Sequence, residues 1–179
     1  PADTDEFLVS DAGTLKRIDY SLIKGGGITM ADQWRITSNF SNSSGSADIT
    51  ANWERVDTYG YGVIGTGLTE SSGIFSFPST GIYKITAQHS SSSGAALAYA
   101  GLAIKTTTDN SSYNSATEMY SNTDSSGQNH GGMVTFIFDV TNTSTHKYKL
   151  TIQNSGANNY EGSTNTTMTG TSVIRLGDT

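Results

Sequence analysis

Gly73-Ile-Phe-Ser-Phe-Pro-Ser-Thr-Gly-Ile-Tyr-Lys-Ile85 is the stretch that decides how this chain is read. Residues 74–77 form a short strand-like run closed by Pro78, which has no N–H to give to a sheet ladder. Ser79, Thr80 and Gly81 make a polar corner. Residues 82–89 then resume as a strand, with Tyr83 and Ile85 on one side and Lys84 on the other. Two strands meeting at a tight corner predict layered sheets, not packed helices.

The same period of two extends outward from this corner. Upstream, Trp34, Ile36, Ser38 and Phe40 alternate with Arg35, Thr37 and Asn39, residues 41–46 read as a loop, and residues 53–58 as the next strand. Gly60, Gly62, Gly65 and Gly67 punctuate a turning connection. Downstream, Ser90 to Ser93 with Gly94 read as a solvated turn. A strand is expected over 95–106, with Leu97 and Tyr99 on one face and Ala96, Ala98 and Ala100 on the other. Residues 107–132 are a long polar stretch whose only large apolar side chains are Tyr113, Met119 and Tyr120. Three further strands close the chain: 133–140 with Val134, Phe136, Phe138 and Val140 on one face, 147–154 with Tyr148, Leu150 and Ile152, and 168–176 with Ile174 and Leu176. A hairpin-length loop, 141–146, joins the first two. Residues 31–179 are therefore expected to be an all-β, antiparallel sandwich.

Residues 1–30 read differently, as a short irregular connector. Phe7-Leu8-Val9 is followed by a Ser-Asp-Ala-Gly turn, Leu15, Ile18 and Leu22 have the spacing of one helical face, and Gly25 to Gly27 break regular structure. The glycines lack the Lys-Ser/Thr of a phosphate loop and so predict a hinge. Pro1 stands where an initiator methionine would, which suggests a fragment or a processed chain.

Composition narrows the function. Leu, Ile, Val and Phe total 33 of 179 residues, about 18 %, just under the roughly 20 % at which disorder becomes a concern. A net charge of only -6 and the periodic placement of the apolar residues argue for folding nonetheless. A core this lean implies that copies of the chain bury further apolar surface against each other. Ser and Thr number 51 and Asn 12, giving a polar, weakly charged surface. Cysteine is absent, which excludes disulfides, thiolate metal sites and a catalytic thiol. Sixteen acidic against ten dispersed basic residues weaken the case for a phosphate-backbone partner, and no nucleic acid is expected. No apolar run reaches the roughly 18 residues of a membrane-spanning helix, so no membrane insertion is expected.

The strand, glycine corner and Gly-x-Tyr strand of residues 73–85, taken with Val173-Ile-Arg-Leu176 as a closing strand, resemble the C1q/TNF-like jelly-roll family over residues 33–177. The resemblance implies a buried Tyr83 at the start of a central strand, a homotrimer and a binding head in place of an enzyme. Phe7-Leu-Val-Ser-Asp-Ala-Gly-Thr-Leu-Lys-Arg-Ile-Asp19 resembles connectors in fibre and appendage proteins of tailed bacteriophages, marine ones in particular. It implies a virion-associated protein whose N-terminal segment meets other virion proteins and whose head binds a host-surface receptor, a glycan or a protein. A purely structural trimerising knob or capsid decoration is the alternative, and a glycan-degrading tail enzyme a third.

The stretches 107–132 and 156–165 are the expected receptor loops, because they mix Tyr with Ser, Asn and Asp as recognition loops do. Tyr113, Tyr120, Asn122, Asp124, Asn129, His130, Asn158 and Tyr160 are the candidates. Tyr83, Phe136, Phe138 and Tyr148, with Leu150, are candidates for the sandwich core or the trimer contact. For catalysis, His89, His130 and His146 stand apart from any nucleophile elbow or zinc motif. Glu118, Asp124 and Glu161 are the only loop carboxylates with aromatic neighbours that a glycosidase reading could use. Asp3-Thr-Asp5-Glu6 lacks the glycine and terminal glutamate of a calcium loop. No cofactor and no metal are expected.

Overall fold

The computed structural model describes every residue except 3 and 21–26. Leu22 of the expected helical face, and Gly25 and Gly26 of the expected hinge, lie outside the described residues. Leu15 and Ile18 are not helical: the segment is a hairpin of β1 (Glu6–Asp11) and β2 (Thr14–Asp19). Ala12 and Gly13 both have positive φ, 49° and 86°, the backbone that a two-residue hairpin turn needs to match strand twist. The pairs Lys16–Asp11 and Arg17–Glu6 and a Phe7–Tyr20 ring contact at 5.9 Å brace it. Period two with a turn signal outweighs the three-four spacing for Leu15 and Ile18, which both lie on β2.

The rest is two antiparallel sheets packed face to face. One contains β12 (Asn129–Val140), β9 (Gly81–Ser92), β15 (Gly170–Gly177), β3 (Ala31–Ile36) and β6 (Trp53–Arg55) in that order. The short β14 (Asn158–Tyr160) continues beyond β15 along β9 and pairs in turn with β4 (Phe40–Asn42). The other runs β11 (Asn114–Thr123), β10 (Leu97–Thr107), β13 (Lys147–Asn154), β8 (Ile74–Ser76), β7 (Thr69–Ser71), with β5 (Gly45–Asp48) pairing the far end of β13. Every paired strand is antiparallel, so the expected sandwich is what the chain forms.

Gly81 starts β9, an interior strand of its sheet, and Tyr83 is fully buried with its hydroxyl donating to Ser79 O at 2.9 Å. The core lies between the sheets. Phe75 stacks on Tyr148 at 4.9 Å and meets Trp53 edge-on at 5.0 Å, while Phe77 touches Tyr83, Phe138 and Tyr148. Each such side chain contributes about 1.5–3 kcal/mol by leaving water. Tyr83, Phe138, Tyr148 and Leu150 are thus intersheet core, with Phe136 partly buried against them. None of the four is available to a neighbouring copy.

Three polar stretches read as loops are strands. Residues 41–46 contribute to β4 and β5; Ser90, Ser91 and Ser92 finish β9, with Ser91 fully buried; and the stretch 107–132 contains all of β11 and the first four residues of β12. At one end of β9 and β11 the inward positions carry His89, Ser91, Ser121 and Thr123, so the alternation there is real but polar. Residues 156–165 likewise include β14, and the strand expected over 53–58 ends at Arg55.

Candidate functional site

The two outward sheet faces differ in chemistry. On the β11–β10–β13 face, Tyr120, Gly101 and Gln153 sit opposite one another across three strands. A Cβ at Gly101 would stand 2.1 Å from Met119 O and 2.8 Å from the Tyr120 ring. Only glycine lets Tyr120 lie across the sheet, where its hydroxyl donates to Gln153 Oε1 at 2.9 Å. Gln153 Nε2 donates in turn to Glu118 at 3.2 Å. Burial, with the Glu118 charge second, pushes the Tyr120 phenol up, so it remains a neutral donor.

Tyr99 completes this platform through a β-bulge. Between Leu97↔Thr123 and Ala100↔Ser121, β10 spends one residue more than β11. The extra residue breaks the alternation expected for Leu97 and Tyr99: Leu97 is buried, while Tyr99 is exposed and meets Tyr120 at 5.7 Å and 89°. Ser155 fixes the Tyr99 backbone at both its N–H and its carbonyl. The two rings and Gln153 line a cleft of about 330 Å³. Two half-exposed tyrosines with amide and carboxylate neighbours suit a ring that is apolar on one face and hydroxylated at its edge.

Farther along the face, Lys149 Nζ lies 4.4 Å from the centre of the Tyr113 ring and donates to Asp48 at 2.6 Å. Burial alone would raise the Asp48 carboxyl, but Lys149 and Thr151 hydrogen bonds outweigh it and hold it below its ordinary value. Tyr113, expected to be in a free loop, is therefore held under a lysine.

The opposite face, on β12, β9, β15 and β3, carries a band. Ile137, Lys84, Ile174 and Ala31 are consecutive cross-strand neighbours, and Ala31 bridges to Ile64. Ile137 is 51 % exposed and Ile174 37 %, with Met133 and Leu176 exposed nearby. Among the described residues nothing covers this band.

Of the other expected recognition residues, Asn122, Asp124 and Asn129 are exposed around the β11–β12 turn. His130 is half-buried, and Asn158 and Tyr160 are interior. Tyr160 and Asn158 are buried, and the Tyr160 hydroxyl donates to Gly101 O and Gln153 O, both at 3.1 Å. His130 lies within reach of Ser91, Ser121 and Asn158. Asn158 and Tyr160 are interior because β14 folds the 156–165 stretch onto the end of β9, where Asn158 also meets the half-buried His130 of β12. Glu118, Asp124 and Glu161 are not brought together: Glu118 is tied to Gln153, Glu161 accepts from Ser90 Oγ at 2.6 Å, and no cleft described here is lined by two of them. Sequence reasoning missed Tyr99 and Gln153, since nothing in Leu97-Ala-Tyr-Ala100 marks the bulge.

No family model matches the chain, and no curated protein matches it. Solved structures do. The chain is similar to the Eiger TNF of S. frugiperda, with 10 % identity and a TM-score of 0.62 over 86 % of this chain and 96 % of that one. It is also similar to murine APRIL at pH 5.0, with 13 % identity and a TM-score of 0.61 over 82 % and 98 %. At such identities the likeness is one of fold, a TNF-like jelly roll.

Proposed function

We propose that the chain is the three-fold recognition head of a virion-attached phage fibre or appendage, displayed on the outside of the particle and binding a host-surface glycan. The observation that carries this is the contrast between the two outward faces. The Ile137–Ile174–Ile64 band offers a second and third copy the burial that the lean core lacks. The Tyr99–Tyr120 platform is left for the receptor on the other face. The TNF-like fold supports a trimer by resemblance. The hairpin Glu6–Asp19, hydrogen-bonded in its own two-stranded sheet with Leu8 and Leu15 exposed, supports a contact with other virion proteins. Three weak sugar sites on one rigid head reach firm attachment through avidity, which exceeds single-site affinity by about 10²–10⁴.

Light scattering should give three times the 18.9 kDa chain mass, and Ile137→Asp with Ile174→Asp should give monomers. The wild-type trimer should bind host cells and compete with phage adsorption, and Tyr99→Ala with Tyr120→Ala should remove both while leaving the trimer intact. A wild-type monomer sinks the assembly, and a trimer that does not compete sinks the recognition role.

A further inference from the structure

Tyr59 is the most exposed large hydrophobic residue among the described residues, at 87 %, and its backbone is left-handed, φ 55°. It is followed by Gly60 at φ 81°, and Tyr61 N closes the turn on Thr58 O at 3.2 Å. Asn, Asp or Gly ordinarily fill the first of these positions, because a bulky residue there crowds its own carbonyl. No packing offsets the strain, since the ring projects into solvent. A strained, exposed aromatic at a rigid turn is an outlier of the kind that accompanies binding.

The turn is rigid because both ends are pinned. Thr58 Oγ1 donates to Asn165 O at 3.1 Å and accepts from Arg35 Nη1 at 2.8 Å. Tyr61 OH donates to Asp32 Oδ1 at 2.6 Å and accepts from Gln33 N at 3.0 Å. Across from it, Ser163 Oγ accepts from the N–H groups of Asn165 and Thr166 at 3.1 and 3.2 Å. The two turns wall a cleft of about 340 Å³ whose floor includes Gln33, Arg35 and Val56. Arg35 is fully buried, and bonds to Glu54, Asp57 and Thr58 occupy four of its five N–H groups. The side chains of Gln33, Asn165 and Thr166 make no hydrogen bond among the described residues.

We infer that this cleft holds a single neutral pyranose ring, its apolar face on Tyr59 and its hydroxyls on Gln33, Asn165 and Thr166. The volume is at the small end for ligand sites, which limits the occupant to a small sugar. The one cation of the floor, Arg35, is paired with both Glu54 and Asp57, so no free positive charge is offered to an acidic sugar. The site is separate from the Tyr99–Tyr120 platform and does not depend on the chain being a fibre head.

Saturation-transfer NMR and calorimetry with the methyl glycosides of glucose, galactose and mannose test it, with N-acetylneuraminic acid as the acidic comparison. At least one neutral glycoside should bind saturably at roughly millimolar concentration. Tyr59→Asn should weaken that binding by about tenfold or more while the thermal midpoint holds or rises, because asparagine accepts a left-handed backbone. Tyr120→Ala should leave it unchanged. The inference is overturned by no saturable binding, by binding that survives Tyr59→Asn, by binding that depends on Tyr120 alone, by a preference for the acidic sugar, or by a Tyr59→Asn midpoint well below wild type.

Discussion

Asp32 on β3 and His89 on β9 are both buried polar side chains turned toward the interior, yet the fold treats them in opposite ways. Five groups donate to Asp32: Trp34 Nε1 at 3.0 Å, Arg55 Nε at 3.0 Å, Tyr61 OH at 2.6 Å, Leu68 N at 2.7 Å and Gln33 N at 2.9 Å. Arg55 also donates to Leu68 O and lies over the Trp34 ring. His89 has one weak partner, Ser91 Oγ at 3.2 Å from Nδ1, while its Nε2 and the nearby Asn158 Nδ2 have none among the described residues. A saturated node acts as a clasp, here tying the 56–68 segment and Tyr59 to the sheet. An unsaturated one stores a liability, because a buried polar atom without a partner keeps its desolvation cost.

The largest difference should appear when Asp32 is removed. Arg55 is partly exposed and can turn to water, but Asp32→Ala also strands four other donors, the Leu68 N–H and Trp34 Nε1 among them, and each buried donor left unmade costs about 1–3 kcal/mol, so the loss should be about 3 kcal/mol or more. Urea unfolding should show the midpoint falling with the slope unchanged. A loss below about 1 kcal/mol would mean that water replaces the carboxylate and the clasp is not closed.

Acid should expose the other node. Burial, and secondarily the His130 imidazole, lowers the His89 ring from its ordinary 6.5 to about 4. Above pH 6.5 the ring is neutral folded or unfolded, and its full contribution is present. Between pH 6.5 and 4 the unfolded chain takes up a proton that the folded chain refuses, so stability falls as pH falls. Below about 4 the loss is complete, on the order of 3 kcal/mol. The difference between wild type and His89→Leu across this range isolates the effect from carboxylate titration. A pH-independent difference would put water at His89 and erase the contrast.

How legible these features are in the sequence follows the same divide. Tyr148, Leu150 and Ile152 alternate with Lys149, Thr151 and Gln153, so β13 is readable to its last residue. Gly81 and Tyr83 likewise announce β9 and its buried ring. The far end of the sandwich is not readable, because His89, Ser91, Thr123 and Asn158 occupy interior positions that hydropathy assigns to solvent. Tyr120 is visible by type, but its place on a strand over Gly101 is not. Tyr99 depends on a one-residue bulge and Tyr59 on a positive φ, and neither leaves a mark in composition or period.

The smallest expected effect separates the two nodes most sharply. At pH 7.5 His89→Leu removes one long hydrogen bond and one orphaned nitrogen, and it leaves Ser91 Oγ near His130 at 3.3 Å. Replacing a buried, poorly satisfied polar group with an apolar one is nearly neutral or stabilising, so the change should lie within about 1 kcal/mol of zero in either direction. Thermal and urea unfolding at this pH give the sign. A cost approaching that of Asp32→Ala would show that His89 is a clasp as well, held by a partner such as an ordered water on Nε2.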